Sequence, residues 1–342
     1  MATPVTPFAA APATTFAKSN KLESALKAAI NKRVVAAEPF AIAITIVDLG
    51  AVDLNGDTSA PSSLPFGGFR DDKEDYNASV GKIGVMYAAH AFLDMVKRFA
   101  LVNPPTAKND AQAQADLFSQ LRSTMSKPIE DSVKRVLDGE SRVERRRPTY
   151  ESVLAVKKAG NGLDIRFSIP FARSLDSMII QSSNEGTRDC VHALGWSYVN
   201  GALAGGGFFD DSKKGSEGFW VGGDFMNGKE WKPLRIATDN DGTSSVASTS
   251  LACARLLSMM VLGGTIGGDK FARDEFRRRL KAAVDGPDTP WLIRAGVQNA
   301  FAKSNVTHNK LGMGPLNAGG NCYSEATVYK GIGGSARSYA VA

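Results

Sequence analysis

Apolar positions recur at helical spacing over residues 18–37. There Leu22, Leu26, Ala29, Ile30 and Val34 alternate with lysines, predicting an amphipathic helix that Pro39 ends. Phe40 to Leu49 is an apolar, β-branched run, the pattern of a buried strand. Residues 50–75, with Asn55-Gly56, Pro61, Pro65 and Gly67-Gly68, read as turns. Ser79 then opens a helix predicted to reach Ala100. Val80, Ile83, Val85, Met86, Ala88, Ala89, Phe92, Leu93 and Val96 cover most of its circumference, so it belongs inside a domain. Gly81 and Gly84 would weaken an exposed helix; in a buried one they permit close packing.

Residues 101–150 are polar and helical in pattern, an insertion or a peripheral layer. Ser174 to Leu194 is a further helical region, broken near Ser182, and Gly201 to Lys232 reads as glycine-rich loop. Thr249 to Leu262 is a strong helix with Leu251, Ala254, Leu257 and Val261 on one face, and 271–284 a basic amphipathic one. The tail alternates in strand fashion over Ser304–Gly312, Tyr323–Lys330 and Ala336–Val341. No internal repeat is visible. The order predicts an α+β chain. Residues 19–75 and 245–342 would form one lobe with a sheet, and 76–244 a mainly helical lobe carrying Ser79. Residues 1–18 would be a flexible arm. A site is expected between the lobes.

Composition adds little for a chain of 342 residues with 43% hydrophobic and 22% charged content. The net charge of +6 and pI near 9.1 admit an anionic partner. The densest basic cluster, Arg142, Arg145, Arg146 and Arg147, has no interleaved aromatics, so it reads as a solvated helix end rather than a nucleic-acid groove. Three cysteines (Cys190, Cys253, Cys322) show neither a disulfide framework nor metal-ligand spacing. The first twenty residues lack the basic start and unbroken apolar core of an export signal, which by sequence implies the cytoplasm. No run reaches the roughly 18 apolar residues of a membrane span. Neither a cofactor nor a metal is implied, no nucleic-acid or membrane partner is expected, and the chain is expected to be a monomer.

Candidate chemistry lies in three short motifs in order: Ser79-Val80-Gly81-Lys82, Ser182-Ser183-Asn184 and Lys310-Leu311-Gly312. Looser matches exist at Ser24-Ala25-Leu26-Lys27, Lys158-Ala159-Gly160 and Lys213-Lys214-Gly215, but Ser24 sits in a solvated helix and Lys213 in a charged turn. Ser79 heads a buried helix, and i and i+3 share a helical face, so the Lys82 amine can reach the Ser79 hydroxyl. Burial and a second cation at Lys310 would favour a neutral lysine able to take the serine proton. The helix N-terminus would direct backbone N–H groups at a reacting carbonyl. No nucleophile elbow, P-loop or dinucleotide fingerprint competes. The histidines His90, His192 and His308 are scattered; His308 alone could border the pocket.

These motifs resemble the S-x-x-K, S-D-N and K-T-G signature of class A β-lactamases and penicillin-binding proteins. The likeness extends through Tyr76 to Lys82, Ile179 to Asn184, Thr249 to Met260, Asn309 to Gly314 and Ser324 to Val328, leaving 101–170 poorly matched. It implies an antiparallel sheet flanked by helices plus an all-α lobe, and a periplasmic or secreted location. It also implies a serine hydrolase acting on a β-lactam or related amide or ester, with a small or peptide-like acyl substrate. By the resemblance, Ser79 is the nucleophile, Lys82 its base and Ser182 a proton relay. Asn184 would hold a substrate amide and Lys310 a carboxylate. The N–H groups of Ser79 and Met313 would form the oxyanion hole, with Gly312 giving the substrate close approach.

The chain departs from the pattern at Ser183, where aspartate is usual, and at Leu311, where a hydroxyl residue is usual. The family's deacylating glutamate lies in a Trp-Glu-Pro context. Here Glu230-Trp231-Lys232-Pro233 places Lys232 there, so slow penicillin deacylation is expected. An esterase or peptidase of the same superfamily, or a penicillin-binding sensor without turnover, are the alternatives.

Overall fold

The computed structural model describes residues 5–33, 42–57, 59–105, 108–160, 162–226, 228–285, 305–330 and 337–342. Val34, Pro39, Phe40, Ser304 and Ala336, which the periodicity assigns to element ends, lie outside them. The chain begins with β1 (Thr15–Lys18), α1 (Asn20–Arg33), β2 (Ile44–Gly50) and β3 (Ser63–Phe69). β4 (Asp75–Tyr76) leads through a 3-10 turn, Ala78–Gly81, into α2 (Lys82–Val102). Then follow α3 (Asp110–Glu130), α4 (Lys134–Gly139), α5 (Tyr150–Val153), the hairpin β5 (Leu154–Ala159) and β6 (Gly162–Phe167), α6 (Ile169–Ile180), α7 (Asn184–Leu194) and α8 (Trp196–Gly205). Short strands β7 (Trp220–Val221), β8 (Ile236–Thr238), β9 (Gly242–Ser244) and β10 (Val246–Ser248) precede α9 (Ser250–Leu262) and α10 (Lys270–Val284). The chain ends in β11 (Asn305–Pro315), β12 (Asn321–Lys330) and β13 (Ser338–Val341).

Both ends of the chain meet in one six-stranded sheet of order β1-β3-β2-β13-β12-β11. All its pairs are antiparallel except β1 with β3. Helices α1, α9 and α10 pack against it. β3 falls within the stretch read as turns. Pro65 and Gly67-Gly68 suggested loops, but a side chain at Gly67 would lie 2.5 Å from the Glu23 nitrogen, so glycine lets α1 seat directly on the strand.

The helical part is built around α2, whose residues from Lys82 to Leu93 are all buried. Close packing explains its glycines: a Cβ at Gly81 would sit 2.2 Å from Val246, and one at Gly84 2.8 Å from Phe219. The hairpin β5–β6 and the small sheet β4-β10-β7 add strands beyond the helices expected there. The stretch read as glycine-rich loop from Gly201 begins inside α8. Gly201 and Gly205 form its contact with Phe8, whose ring lies 5.5 Å from that of Tyr198. Residues 5–18, read as part of a flexible arm, are therefore docked, through Phe8 and through β1. In the basic amphipathic α10, Arg273, Arg277 and Arg279 are buried. Arg279 pairs with Asp176 and Glu275, and Arg277 donates to the carbonyls of Val261 and Gly56. The Arg142–Arg147 cluster is likewise engaged, Arg145 with Glu140 and Arg147 with Glu130.

Candidate active site

The turn carrying Ser79 is held from three sides. β4 pairs with β10, fixing the approach to Asn77. Buried Asn77 donates through Nδ2 to Ser248 Oγ at 2.8 Å, and its carbonyl accepts from Val80 N at 3.1 Å and from Ser324 Oγ at 2.6 Å. Ala78 adopts φ 46°, in the left-handed region where a non-glycine residue costs about 1 kcal/mol or more. The half-buried Ser79 stands between buried Ala78 and Val80, and Lys82, fully buried, begins α2.

α6 and α7 supply the second motif. The break between them is Ser182, held at φ 56°. Ser183 takes the N-cap of α7, accepting from Gly186 N at 3.1 Å, a role serine fills as aspartate would. Lys82 Nζ donates to the Ser182 carbonyl at 2.5 Å and to Asn184 Oδ1 at 2.8 Å, with Ser182 Oγ at 3.5 Å. Buried Lys310 reaches the same hydroxyl from β11: its Nζ donates to Ser182 Oγ at 2.7 Å and to the Leu311 carbonyl at 2.9 Å. Two lysine amines thus converge on Ser182.

β11 runs along the Ser79 turn. A Cβ at Gly312 would lie 2.7 Å from Ser79 N, 2.6 Å from the Asn77 carbonyl and 2.5 Å from Ser324 Oγ. Strand alternation puts Leu311 on the face opposite Lys310 and Gly312, which accommodates leucine at this position. Met313 is 63% exposed and pairs in register with exposed Tyr323, so its side chain lies open while its backbone stays in the strand.

A loop after β7 covers the other side of Lys82. Asp224 is buried and accepts from His192 Nε2 at 3.1 Å and from Met226 N at 3.0 Å. Burial pushes its carboxyl up, but the His192 and Met226 hydrogen bonds outweigh this and hold it below the usual range. His192 stacks on Trp231 with ring centroids 3.9 Å apart. Phe225, at φ 63°, places its ring centroid 5.4 Å from Lys82 Nζ. Lys232, expected where a glutamate would act, is exposed, and Glu230 pairs with Arg188 on α7. Phe225 is a loop residue that meets Lys82. Asn77, Ser248, Ser324 and Phe225 were not singled out by the motifs. Only Asn77 and Ser324, inside the matched segments, carried any signal.

The other candidates lie apart. Ser24 is on α1, Lys158 in the β5–β6 hairpin, and Lys213 pairs with Asp210. His308 is buried towards Arg277 and Lys281 of α10, and burial, helped by those cations, pushes its imidazole down to about 3. His90 is buried among Phe167, Phe271 and Phe276. A cleft of about 1250 Å³ between the end of α2, the β5–β6 hairpin and α10 contains none of the residues of the three ordered motifs, though Lys158 and Gly160 line it. Among the described residues no group of three His, Cys, Asp or Glu could hold a metal ion, and no helix is long and apolar enough to cross a membrane.

No protein-family model and no curated protein matches the sequence. Solved structures do. A β-lactamase from Chitinophaga pinensis is 16% identical with a TM-score of 0.45, over 92% of this chain and 88% of that one. One from Desulfarculus baarsii is 14% identical with a TM-score of 0.46, over 94% and 88%. The TP domain of penicillin-binding protein 3 from Burkholderia pseudomallei is 13% identical with a TM-score of 0.42, over 97% and 87%. In this chain's own α+β architecture, the three ordered motifs come together at Ser182 and the Ser79 turn.

Proposed function

We propose that this chain is a serine hydrolase that forms an acyl-serine on Ser79 from a β-lactam or a related amide or ester. The observation that carries the reading is the meeting of Lys82 and Lys310 at Ser182, beside a Ser79 turn lined by Gly312. Ser79 Oγ attacks the acyl carbonyl and its proton passes to the Lys82 amine. Ser182 returns a proton to the leaving nitrogen or oxygen. The backbone N–H groups of Ser79 and Met313 hold the oxyanion. Lys310 attracts a substrate carboxylate and Asn184 orients its amide. The substrate is a small or peptide-like acyl donor, met by a monomer.

Deacylation of penicillins is slow in this reading. Lys232 stands exposed on the loop, and Glu230 beside it is paired with Arg188. Intact mass after incubation with penicillins and activated esters tests the proposal. One acyl group per chain is expected, absent in Ser79→Ala, with a burst near one equivalent before a slow steady state. Labelling that persists in Ser79→Ala defeats the assignment. Fast, burst-free penicillin turnover defeats slow deacylation. The second reading, a penicillin-binding sensor, is favoured by the apolar ring at Lys82, and undetectable steady-state turnover of every acyl donor would select it.

A further inference from the structure

Hydrolysis of an acyl-serine needs a water oxygen to bond to the acyl carbon while the Ser79 Oγ–carbon bond breaks. One water proton returns to the serine oxygen, and a neighbouring group must hold it in transit. The flank of the Ser79 turn nearest Gly312 is occupied by β11, which approaches Ser79 N closely. The flank at Gly81 and Lys82 faces Val246 of β10 and the loop after β7. There a Cβ on Gly81 would lie 3.4 Å from Phe225 Cζ, and the Phe225 ring centroid is 5.4 Å from Lys82 Nζ.

This ring is held rather than draped. Ala78, Ser182 and Phe225 are three of the five non-glycine residues with left-handed backbone among the described residues, and all three border Ser79 or Lys82. Such strain persists only where the surroundings over-determine it. At Phe225 the restraint is its neighbour: buried Asp224 is bonded to His192 on α7 and to the Met226 N–H, and His192 is stacked on Trp231.

We infer that Phe225 is a specificity-determining residue that sets the lifetime of the acyl-serine, by filling the loop-side approach to Ser79 and Lys82 with an apolar ring. The inference rests on the acyl-serine reading above. The ring excludes the hydrolytic water and supplies no proton acceptor, so acyl groups persist until a nucleophile enters from another side.

The test is the lifetime of a purified penicillin adduct of the full chain, followed by intact mass, for wild type and for Phe225→Tyr, Phe225→Leu, Phe225→Ala and Phe225→Glu. Lifetime should fall as side-chain volume falls from Tyr through Leu to Ala, by about tenfold or more at Ala. Phe225→Glu, which adds a base, should shorten it by about 100-fold. Lifetime should change by more than the acylation rate in the tyrosine, leucine and alanine variants, a split that a merely structural role would not produce; in Phe225→Glu the carboxylate beside Lys82 favours a charged amine and slows acylation as well. The leucine variant keeps most of the apolar volume, so it keeps the series readable if the alanine variant fails to fold. An unchanged lifetime across the folded variants overturns the inference alone. A wild type that forms no adduct overturns the acyl-serine reading itself, and the inference with it.

Discussion

Gly312→Ala adds one methyl group at the closest approach between β11 and the Ser79 turn. The new Cβ would lie 2.5 Å from Ser324 Oγ, 2.6 Å from the Asn77 carbonyl oxygen and 2.7 Å from Ser79 N. Two of these atoms are backbone and have no rotamer to escape into. Restoring ordinary contact requires the strand and the turn to part by roughly 0.7 Å. Overpacking of this kind costs about 1–3 kcal/mol of stability. A displacement near 1 Å between groups that hold a transition state costs about 100-fold in rate. The substitution should therefore leave a folded protein whose labelling by a fluorescent penicillin slows ~100-fold. Quench-flow labelling gives the rate, and a thermal melt certifies folding. Adding Ser324→Ala removes the contact at 2.5 Å together with the hydrogen bond to the Asn77 carbonyl, so the double variant should recover at most a minor part of the lost rate. A folded Gly312→Ala that labels at the wild-type rate would refute the placement of the substrate between β11 and Ser79.

Lys310→Ala removes the amine that donates to Ser182 Oγ, so acylation by carboxylate-bearing donors should fall about 10- to 100-fold while neutral esters change little; equal losses in paired rate measurements would contradict the carboxylate role. Glu74 is fully buried, and burial, with Glu217 and Asp75 nearby, pushes its carboxyl up to about 8. A raised carboxyl stabilises the fold below its unfolded value near 4.5, and that stability is lost as pH rises towards 8, at about 1.4 kcal/mol per pH unit. Glu74→Gln, which keeps an acceptor for Gly218 N, should flatten denaturant-derived stability between pH 5 and 8, and curves parallel to wild type would refute this. His308 has the opposite sign: its depressed imidazole contributes stability that is present above 6.5 and lost as pH falls towards 3. His308→Gln should lower the acid-side slope by about 1.4 kcal/mol per pH unit, leaving the part due to buried His90, and an unchanged slope would refute it.

Local pattern carried much of this protein. The apolar residues from Ile83 to Val96 lie in one continuous buried helix because a helix apolar on every face has only an interior to occupy. The break at Ser182 and the N-cap at Ser183 follow from a short polar run between two amphipathic segments. Motif order was equally legible, since Ser79 and Lys82 share one turn and Lys310 and Gly312 one strand face. What the pattern could not supply was any contact between distant segments. β3 looked like turns because Pro65 and Gly67 are read as breakers until α1 is seen resting on Gly67. Arg279 of α10 shows no distant partner until Asp176 is found against it.

The same limit governs the site. The sequence by itself showed three candidate motifs and the elements that carry them, because helical and strand periodicity are properties of a few neighbouring residues. Only the tertiary structure decided that Lys82 meets a residue 100 positions away and Lys310 one 128 positions away, both at Ser182. It also decided that an aromatic residue, Phe225, rather than Lys232 or Glu230, faces Lys82. Such meetings depend on how whole elements pack, and a loop tied down by Asp224 and His192 can present any of its residues inward. Charge and spacing within the loop do not reveal which one.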